Sequence, residues 1–164
     1  MRYRDESYCQ YIGVIVISSK EALSDERKVW WVNQGKSMKI EVEDEFLWAP
    51  LESKNGGSYY FWENLSEVKP GDIILHYAAK EIRYVSEVLS EMIIQERPIK
   101  LDEDKWNDSG RFVKLAVSDI SPRIQLKKFY HEVFKLNIFH GPLRKNDGVK
   151  EGYLFNCIES ISSE

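Results

Sequence analysis

The chain has 164 residues, which fits one domain with a real core and is too short for two ordinary domains. Its formal net charge of −4 argues against proteins that bind a phosphate backbone broadly through a basic face, so any nucleic-acid contact must be local. Two cysteines are too few for a disulfide scaffold or a cysteine-based zinc site, and no segment approaches the roughly 18 apolar residues of a membrane span. We predict a cytoplasmic protein with no membrane partner.

The first predicted elements divide the chain into an N-terminal arm with an extra strand, residues 1–27, and a main domain, residues 28–164. Residues 11–17 are apolar and β-branched, which predicts a buried strand. A second strand is predicted at 28–33. Dense charges and roughly helical spacing then predict a loop with a weak helical turn over 37–45.

The middle of the chain alternates turns with short elements. A glycine-containing turn at 54–58 leads into the aromatic run at 59–62, and one helical turn is predicted at 63–68. The Pro-Gly-Asp sequence within 69–72 predicts a tight turn that begins the strand at 73–78.

The last part of the chain is predicted to be rich in strands. Residues 81–91 form a hairpin with the preceding strand, and neither face of this run is cleanly polar. A closed barrel packed by flanking helices produces that pattern, so the predicted fold class is α+β with a small mixed β-barrel. The remaining predicted elements are a polar loop at 95–110 carrying Trp106, a strand at 111–120 ended by Pro122, a helix at 126–134, and a final strand or turn at 152–156.

Signals for catalysis and for metal binding are weak. Gly35-Lys36-Ser37 matches the end of a phosphate-binding loop, but Trp30 occupies the position of the required first glycine. Two acid-x-Lys triplets lack the partner carboxylate that nucleases place on a preceding hairpin. The three histidines lie far apart with no cysteine or carboxylate at ligand spacing, so we predict no metal and no other cofactor. Cys157 and His76 remain open as a nucleophile and base, or as two buried side chains.

The aromatic residues are more informative. They make up 13% of the chain, with five tryptophans, which is more than a core of this size needs. Trp48 precedes Ala49-Pro50 at a strand end, Trp31 lies near the end of the earlier strand with Asn33, and Trp62 follows the glycine turn. Rings at such junctions are placed to line the mouth of a pocket. The alternative that all of them are ordinary core or rim side chains stays open.

The order of these motifs resembles the EVE and YTH branch of the PUA-like superfamily, and most closely the EVE-like or YTH-like module at the front of modification-dependent restriction proteins of the McrB type. The resemblance covers about 28–155. Its motifs are, in chain order, Val29-Trp30-Trp31-Val32-Asn33, Phe46-Leu47-Trp48-Ala49-Pro50, Val68-Lys69-Pro70-Gly71-Asp72-Ile73-Ile74-Leu75-His76-Tyr77, Arg111-Phe112-Val113-Lys114-Leu115 and Gly152-Tyr153-Leu154-Phe155.

The resemblance implies a PUA-like fold and a reader of modified bases that takes a flipped nucleotide into an aromatic cage. On that pattern Trp48 corresponds to one wall of the cage. Trp31 and Asn33 occupy the strand end that contacts the base edge, and Tyr77 is the aromatic at the end of the Gly-Asp strand. The chain has Val32-Asn33-Gln34 where the families have Lys-Ser-Glu or Lys-Ser-Asn, so the identity of the modification is not implied.

Two details complete the implied site. Trp106 and Trp62 are alternative candidates for the second wall, and the Asn33 amide, which can donate and accept, is a candidate for discriminating between bases. Local cations would contact the backbone, although a solvated surface role is an alternative for each. The candidates are Lys36, Lys39, Lys54, Arg123, Lys127, Lys128, Arg144 and Lys145.

The sequence thus predicts a non-catalytic domain that binds DNA carrying a modified base and serves as the specificity module of a restriction system, with a motor or nuclease domain in the same or another chain. One alternative is a PUA-like protein that binds modified RNA. Another is a small enzyme or interaction domain whose aromatics are only core.

Overall fold

The computed structural model describes residues 28–101, 106–128, 130, 141–144 and 148–158. The strand predicted at 11–17, most of the helix predicted at 126–134, and Lys145 lie outside the described residues. The division between an N-terminal arm and a main domain therefore stays a prediction.

A mixed sheet organises the described chain. Its strands follow the order β2-β6-β4-β3-β1-β9, and β5 pairs with β6 beside this path. The strands are β1 (Val29–Asn33), β2 (Phe46–Pro50), β3 (Ile73–Ala78), β4 (Glu81–Val88), β5 (Ile93–Glu96), β6 (Ser109–Gln125), β7 (Leu143–Arg144), β8 (Gly148–Val149) and β9 (Leu154–Ile158). Strands β1 and β3 are parallel, whereas β7 and β8 form a separate antiparallel pair.

Strand β1 is buried on both faces. Trp30 and Val32 pack in one core cluster with Leu47 and Leu154, whereas Trp31 packs in a second cluster. Successive residues of a strand point to opposite faces, so the Trp30-Trp31 pair places one indole in each core. This arrangement explains why the strand sequences show no clean alternation of apolar and polar residues.

Strand β6 links the two parts of the sheet. Its first half pairs with both β2 and β5, and its second half pairs with β4. The prediction that the strand ends at Pro122 was wrong, because β6 continues to Gln125. The register against β4 shifts between Ile82 and Tyr84, which face Ile124 and Asp119, so Pro122 lies in a bulge where no ladder hydrogen bond is required.

The sheet curls into a half-barrel. Among the described residues the end strands β2 and β9 do not pair, so the ladder is open where a closed barrel was expected. The predicted α+β class, with a small mixed sheet and few helices, is confirmed. In the part of the chain that the structure describes, no helix is long and apolar enough to cross a bilayer.

Short helical segments connect the strands. Helix α1 (Met38–Glu43) replaces the weak turn predicted there, since Met38 and Glu41 are both buried against the sheet. Helix α2 (Tyr60–Glu63) continues into a 3-10 turn (Asn64–Glu67), which buries Leu65.

The predicted Gly-Asp turn is fastened to β1 by a buried carboxylate. Asp72 is 3% exposed and accepts hydrogen bonds from Trp30 Nε1 at 2.9 Å, and from the backbone N–H groups of Lys28 and Lys69 at 3.0 Å each. These donors satisfy the carboxylate inside the fold, and they fix the parallel pairing of β1 with β3.

Trp48 packs directly on the backbone of β6, and this contact requires a glycine. A Cβ atom added at Gly110 would lie 2.3 Å from Trp48 Cε2 and 2.5 Å from the carbonyl oxygen of Ala49. We expect Gly110→Ala to lower the free energy of unfolding by at least about 2 kcal/mol, because neither the buried ring nor the backbone can move aside cheaply. Urea denaturation measures the change.

Gly35→Ala is the matched control, since a Cβ there meets nothing within 4 Å. Its stability should stay within about 1 kcal/mol of the parent. Equal stability of both variants and the parent would contradict the packing of Trp48 on Gly110.

Candidate functional site

A cavity of about 440 Å³ opens where β1 ends and the chain turns toward α1. It is formed by five segments that are distant in sequence, and its volume lies in the range of about 300–1,000 Å³ that is usual for small-ligand sites. The lining residues are Asn33, Gly35, Lys36, Ser37, Ile40, Phe61, Trp62, Lys100, Leu101, Trp106, Gly152 and Tyr153.

Two tryptophans line this cavity, and each is held by another aromatic ring. Trp62, on α2, is 8% exposed and meets Tyr59 edge to face, with ring centroids 4.8 Å apart. Trp106 is half-buried and pairs with Ser53 through an isolated β-bridge. Its ring packs on that of Trp48, with ring centroids 6.0 Å apart. The alternative candidates for the second wall, Trp62 and Trp106, therefore both lie at the same cavity.

Asn33 is the polar residue at the end of β1. Its Oδ1 accepts a hydrogen bond from Trp31 Nε1 at 2.8 Å, and its Nδ2 donates to the carbonyl oxygens of Lys150 at 2.9 Å and Gly152 at 3.4 Å. Its backbone N–H donates to the carbonyl of Tyr153 at 2.7 Å. Asn33 thereby fixes the segment that brings Gly152 and Tyr153 to the cavity.

A buried carboxyl group lies behind the cavity wall. Glu41 is 1% exposed, and its side chain accepts hydrogen bonds from the Tyr153 hydroxyl, the Ser37 hydroxyl and the backbone N–H of Trp48. Burial raises the pKa of Glu41 from 4.5 to about 7 despite these bonds. Burial and the neighbouring carboxyl group raise the pKa of Tyr153 well above 10.

His76 belongs to a second buried polar chain. Its Nδ1 lies 2.7 Å from Gln34 Oε1 and its Nε2 lies 2.5 Å from Ser86 Oγ. Because the amide oxygen only accepts, Nδ1 carries the proton and Nε2 accepts from the hydroxyl. Burial lowers the pKa of His76 to about 3, so the ring is neutral, and His76 is 0% exposed.

The two cations at the cavity differ in their surroundings. Lys100 Nζ lies 2.9 and 3.0 Å from the two carboxylate oxygens of Asp44, which raise the pKa of Lys100. Lys36 is exposed, and the structure gives its ammonium no carboxylate partner among the described residues. Lys36 is therefore the cation that remains available to an anionic ligand.

Trp31 and Trp48 lie behind the cavity and do not line it. Trp31 is 0% exposed and Trp48 is 2% exposed. The indole N–H of Trp31 is bonded to Asn33, and that of Trp48 donates to the carbonyl of Gln95 at 3.2 Å. Both rings support residues that do line the cavity.

Tyr77 lies at a second cavity, of about 630 Å³, which Lys127 also lines. The Tyr77 ring packs on Trp31 at 4.9 Å, and burial raises the pKa of its hydroxyl group. Arg123 forms an ion pair with Glu81 at 3.3 Å. The other proposed backbone contacts in the described part of the chain are exposed side chains: Lys39, Lys54, Lys128 and Arg144.

Sequence reasoning missed several lining residues. Ser37 belonged to a motif that was rejected as a phosphate-binding loop, and Tyr153 belonged to the Gly-Tyr-Leu-Phe element without being assigned a role. Lys100 and Leu101 come from a segment predicted to be a polar loop, and no sequence signal placed them beside Asn33. The described residues contain no group of three or more His, Cys, Asp or Glu side chains arranged to hold a metal ion.

No protein-family model matches the chain, and no curated protein is significantly similar to it. Among solved structures, it is similar to a protein from Pseudomonas putida, with 14% identity over 78% of this chain and 90% of that chain and a TM-score of 0.48. It is also similar to human THYN1 protein in complex with 5-methylcytosine containing DNA, with 14% identity, 78% and 89% coverage and a TM-score of 0.44.

A third similar structure is the YTH domain of Zygosaccharomyces rouxii MRB1 protein in complex with N6-methyladenosine RNA, with 12% identity, 72% and 70% coverage and a TM-score of 0.44. At these identities, and with TM-scores below 0.5, the similarities assign no role to any residue of this chain. The mixed sheet with few helices agrees with the α+β class predicted from the sequence.

Glu41 generates a prediction on the pH dependence of stability. Because its pKa is about 7 in the fold and near 4.5 in the unfolded chain, it destabilises the fold as pH rises from 4.5 to 7, by up to about 3 kcal/mol. His76, with its pKa lowered to about 3, has the opposite effect between pH 3 and 6.5. The two dependences nearly cancel in the parent from pH 4.5 to 6.5.

Glu41→Gln keeps a side chain that can accept from Tyr153 but cannot ionise. Relative to the parent, we expect its free energy of unfolding to rise between pH 4.5 and 7 and then level off. Urea denaturation of both proteins at half-unit pH steps measures the difference. Parallel profiles would mean that Glu41 ionises normally in the fold.

Proposed function

We propose that this protein is a non-catalytic reader of a modified base in nucleic acid, and that the flipped base stacks between Trp62 and Trp106. The observation that carries the proposal is one cavity that is lined by the buried indole of Trp62, the half-buried indole of Trp106, the Asn33 side chain and the unpaired Lys36 cation. These are the groups needed for stacking on a base, for a hydrogen bond to its edge and for contact with a phosphate.

The energies of stacking and flipping are well matched. Extruding a base from a strand costs a few kcal/mol, and each aromatic stack contributes about 1–3 kcal/mol, so two walls roughly offset the cost. A buried methyl group adds only about 0.8 kcal/mol, which is about fourfold in affinity. Stronger selection for a modified base has to come from shape or from a polar group left unpaired.

The buried tryptophans have a supporting role in this proposal. Trp48 holds Trp106 from behind, and Trp31 fixes the oxygen of Asn33, so neither needs to touch the base. Tyr77 supports Trp31 in turn. The sequence predicted Trp48 as one wall of the cage. In this proposal the walls are instead Trp106 and Trp62, and Trp48 lies one layer of side chains behind them.

The phosphate backbone would be contacted locally. Lys36 is the nearest available cation, and Lys39 follows it on α1. The net charge of −4 predicts weak binding to unmodified nucleic acid at physiological salt. We assign Lys54, Arg123, Lys127, Lys128, Arg144 and Lys145 at most to more distant backbone contacts.

Modified DNA is the ligand that we propose, with the domain acting as the specificity module of a restriction system together with a motor or nuclease domain. The support for this context is the order of the sequence motifs, which resembles the modules of McrB-type proteins. Modified RNA is the alternative polymer, and the binding experiment distinguishes the two.

The first test is an anisotropy titration with labelled strands of one sequence. The set contains unmodified DNA, DNA with 5-methylcytosine, with 5-hydroxymethylcytosine or with N6-methyladenine, and RNA with N6-methyladenosine, all at one moderate salt concentration. We expect at least tenfold tighter binding of one modified strand than of its unmodified match. Equal affinity across the DNA and RNA sets would refute a modified-base reader.

Substitution of Trp106 tests the stacking role. We expect Trp106→Ala to weaken the preferred ligand by roughly 5- to 150-fold, the equivalent of one lost stack, and Trp106→Phe to retain most of the affinity. Urea denaturation confirms that both variants are folded. If the two substitutions weaken binding equally in folded protein, Trp106 does not form a stacking wall.

Substitution of Lys36 tests the contact with phosphate. We expect Lys36→Gln to weaken all strands by a similar factor and to reduce the slope of log affinity against log salt by about 1. Lys69→Gln is the control, since Lys69 is exposed, does not line the cavity and is not among the proposed backbone contacts. If the salt dependence of binding is unchanged in Lys36→Gln, the phosphate backbone of the ligand does not contact Lys36.

A further inference from the structure

The hydrogen-bonding capacity of Asn33 is almost fully used inside the protein. A carboxamide has two N–H donors and an oxygen with two lone pairs. Nδ2 of Asn33 donates to the backbone carbonyls of Lys150 and Gly152, and one lone pair of Oδ1 accepts from Trp31 Nε1. The remaining lone pair of Oδ1 is what Asn33 can still offer to a ligand.

The orientation of this amide follows from its partners. The carbonyls of Lys150 and Gly152 only accept, and the indole N–H of Trp31 only donates. Rotating the amide by 180° would set an oxygen against two carbonyls and an NH₂ group against an N–H. The bonding partners therefore fix the oxygen on the Trp31 side, and the amide cannot switch to donating toward a ligand.

Tyr153 and Ser37 also line the cavity, and their hydroxyl groups are used in the same way. The hydroxyls of Tyr153 and Ser37 both donate to the buried carboxylate of Glu41. Neither hydroxyl group therefore has a proton left to donate to a ligand. The indole N–H groups of Trp62 and Trp106 lie at the ring edges, so a base stacked on the ring faces does not meet them.

We propose that the cavity selects bases by a hydrogen-bond donor, with Asn33 Oδ1 accepting from an exocyclic amino N–H of the flipped base. This inference rests on the proposed function and narrows its ligand. Accepted bases are adenine or cytosine whose amino group keeps at least one hydrogen, whether the modification lies on that nitrogen or on the ring. A doubly substituted amino group is rejected, because it has no N–H to donate to Asn33 Oδ1.

Isomeric bases separate the effect of an N–H donor on affinity from the effect of the size of the substituent. N6-ethyladenine and N6,N6-dimethyladenine have the same composition, but only the ethyl base keeps an N–H. N4-ethylcytosine and N4,N4-dimethylcytosine form the corresponding pair. Labelled strands carrying each base are titrated by anisotropy at pH 8, above the pKa of Glu41, where its carboxylate accepts from both hydroxyls.

For the pair built on whichever base the protein binds, we expect the ethyl isomer to bind at least about tenfold tighter than the dimethyl isomer. Equal affinities of the two isomers, with both tighter than the unmodified strand, would overturn the donor rule and leave the proposed reader intact. Failure of every modified strand to exceed its unmodified match would instead overturn the proposed function.

Two substitutions test which side chain accepts the hydrogen bond from the amino group of the base. Ser37→Ala removes a hydroxyl oxygen from the cavity and should keep the isomer preference. Asn33→Ala, if folded by urea denaturation, should lose it. Loss of the preference in Ser37→Ala, or its retention in folded Asn33→Ala, would show that Asn33 is not the acceptor. If Asn33→Ala does not fold, the isomer titration on the parent protein still decides the donor rule.

Discussion

The candidate site depends on how the chain is held at the end of β1. Asn33 makes four hydrogen bonds within the protein, to Trp31, Lys150, Gly152 and the backbone of Tyr153. These bonds bring the segment before β9 against the end of the central strand. The cavity lies where this segment, the turn toward α1 and the ring of Trp62 meet, so the same amide that closes the fold also sets the polarity of the site.

Behind the cavity, hydroxyl and amide groups donate their hydrogen bonds to acceptors inside the protein. Tyr153 and Ser37 donate to Glu41, and the Asn33 amide donates to backbone carbonyls. A buried polar group that lacks a partner is costly, so each donor that is directed inward stays there when a ligand binds. In the proposed reader, these internal bonds leave aromatic faces and hydrogen-bond acceptors for the ligand, and they would set its specificity.

The order of the strands could be predicted well, because turn residues and β-branched runs determine the local structure of the chain. The fold class, the hairpin of β3 and β4, and the Gly-Asp turn followed from such signals. The depth of each tryptophan did not, because a sheet covered on both faces hides the period that separates inside from outside. Trp48 lies at a strand end, as expected, yet Gly110 on β6 lets its ring pack into the core. Lys100 and Leu101 reach the cavity only through long-range packing.

In the proposed reader, charge attraction contributes less to affinity, and base stacking contributes more, than in a basic nucleic-acid-binding protein. Lys100 is paired with Asp44, which leaves Lys36 as the available cation at the cavity, and the whole chain is acidic. Backbone attraction is therefore small, and affinity has to arise from the base itself, through its stacked faces and its edge. In the proposed reader, discrimination between a modified and an unmodified strand must therefore come from the contacts with the base, because the attraction to the backbone is common to both strands.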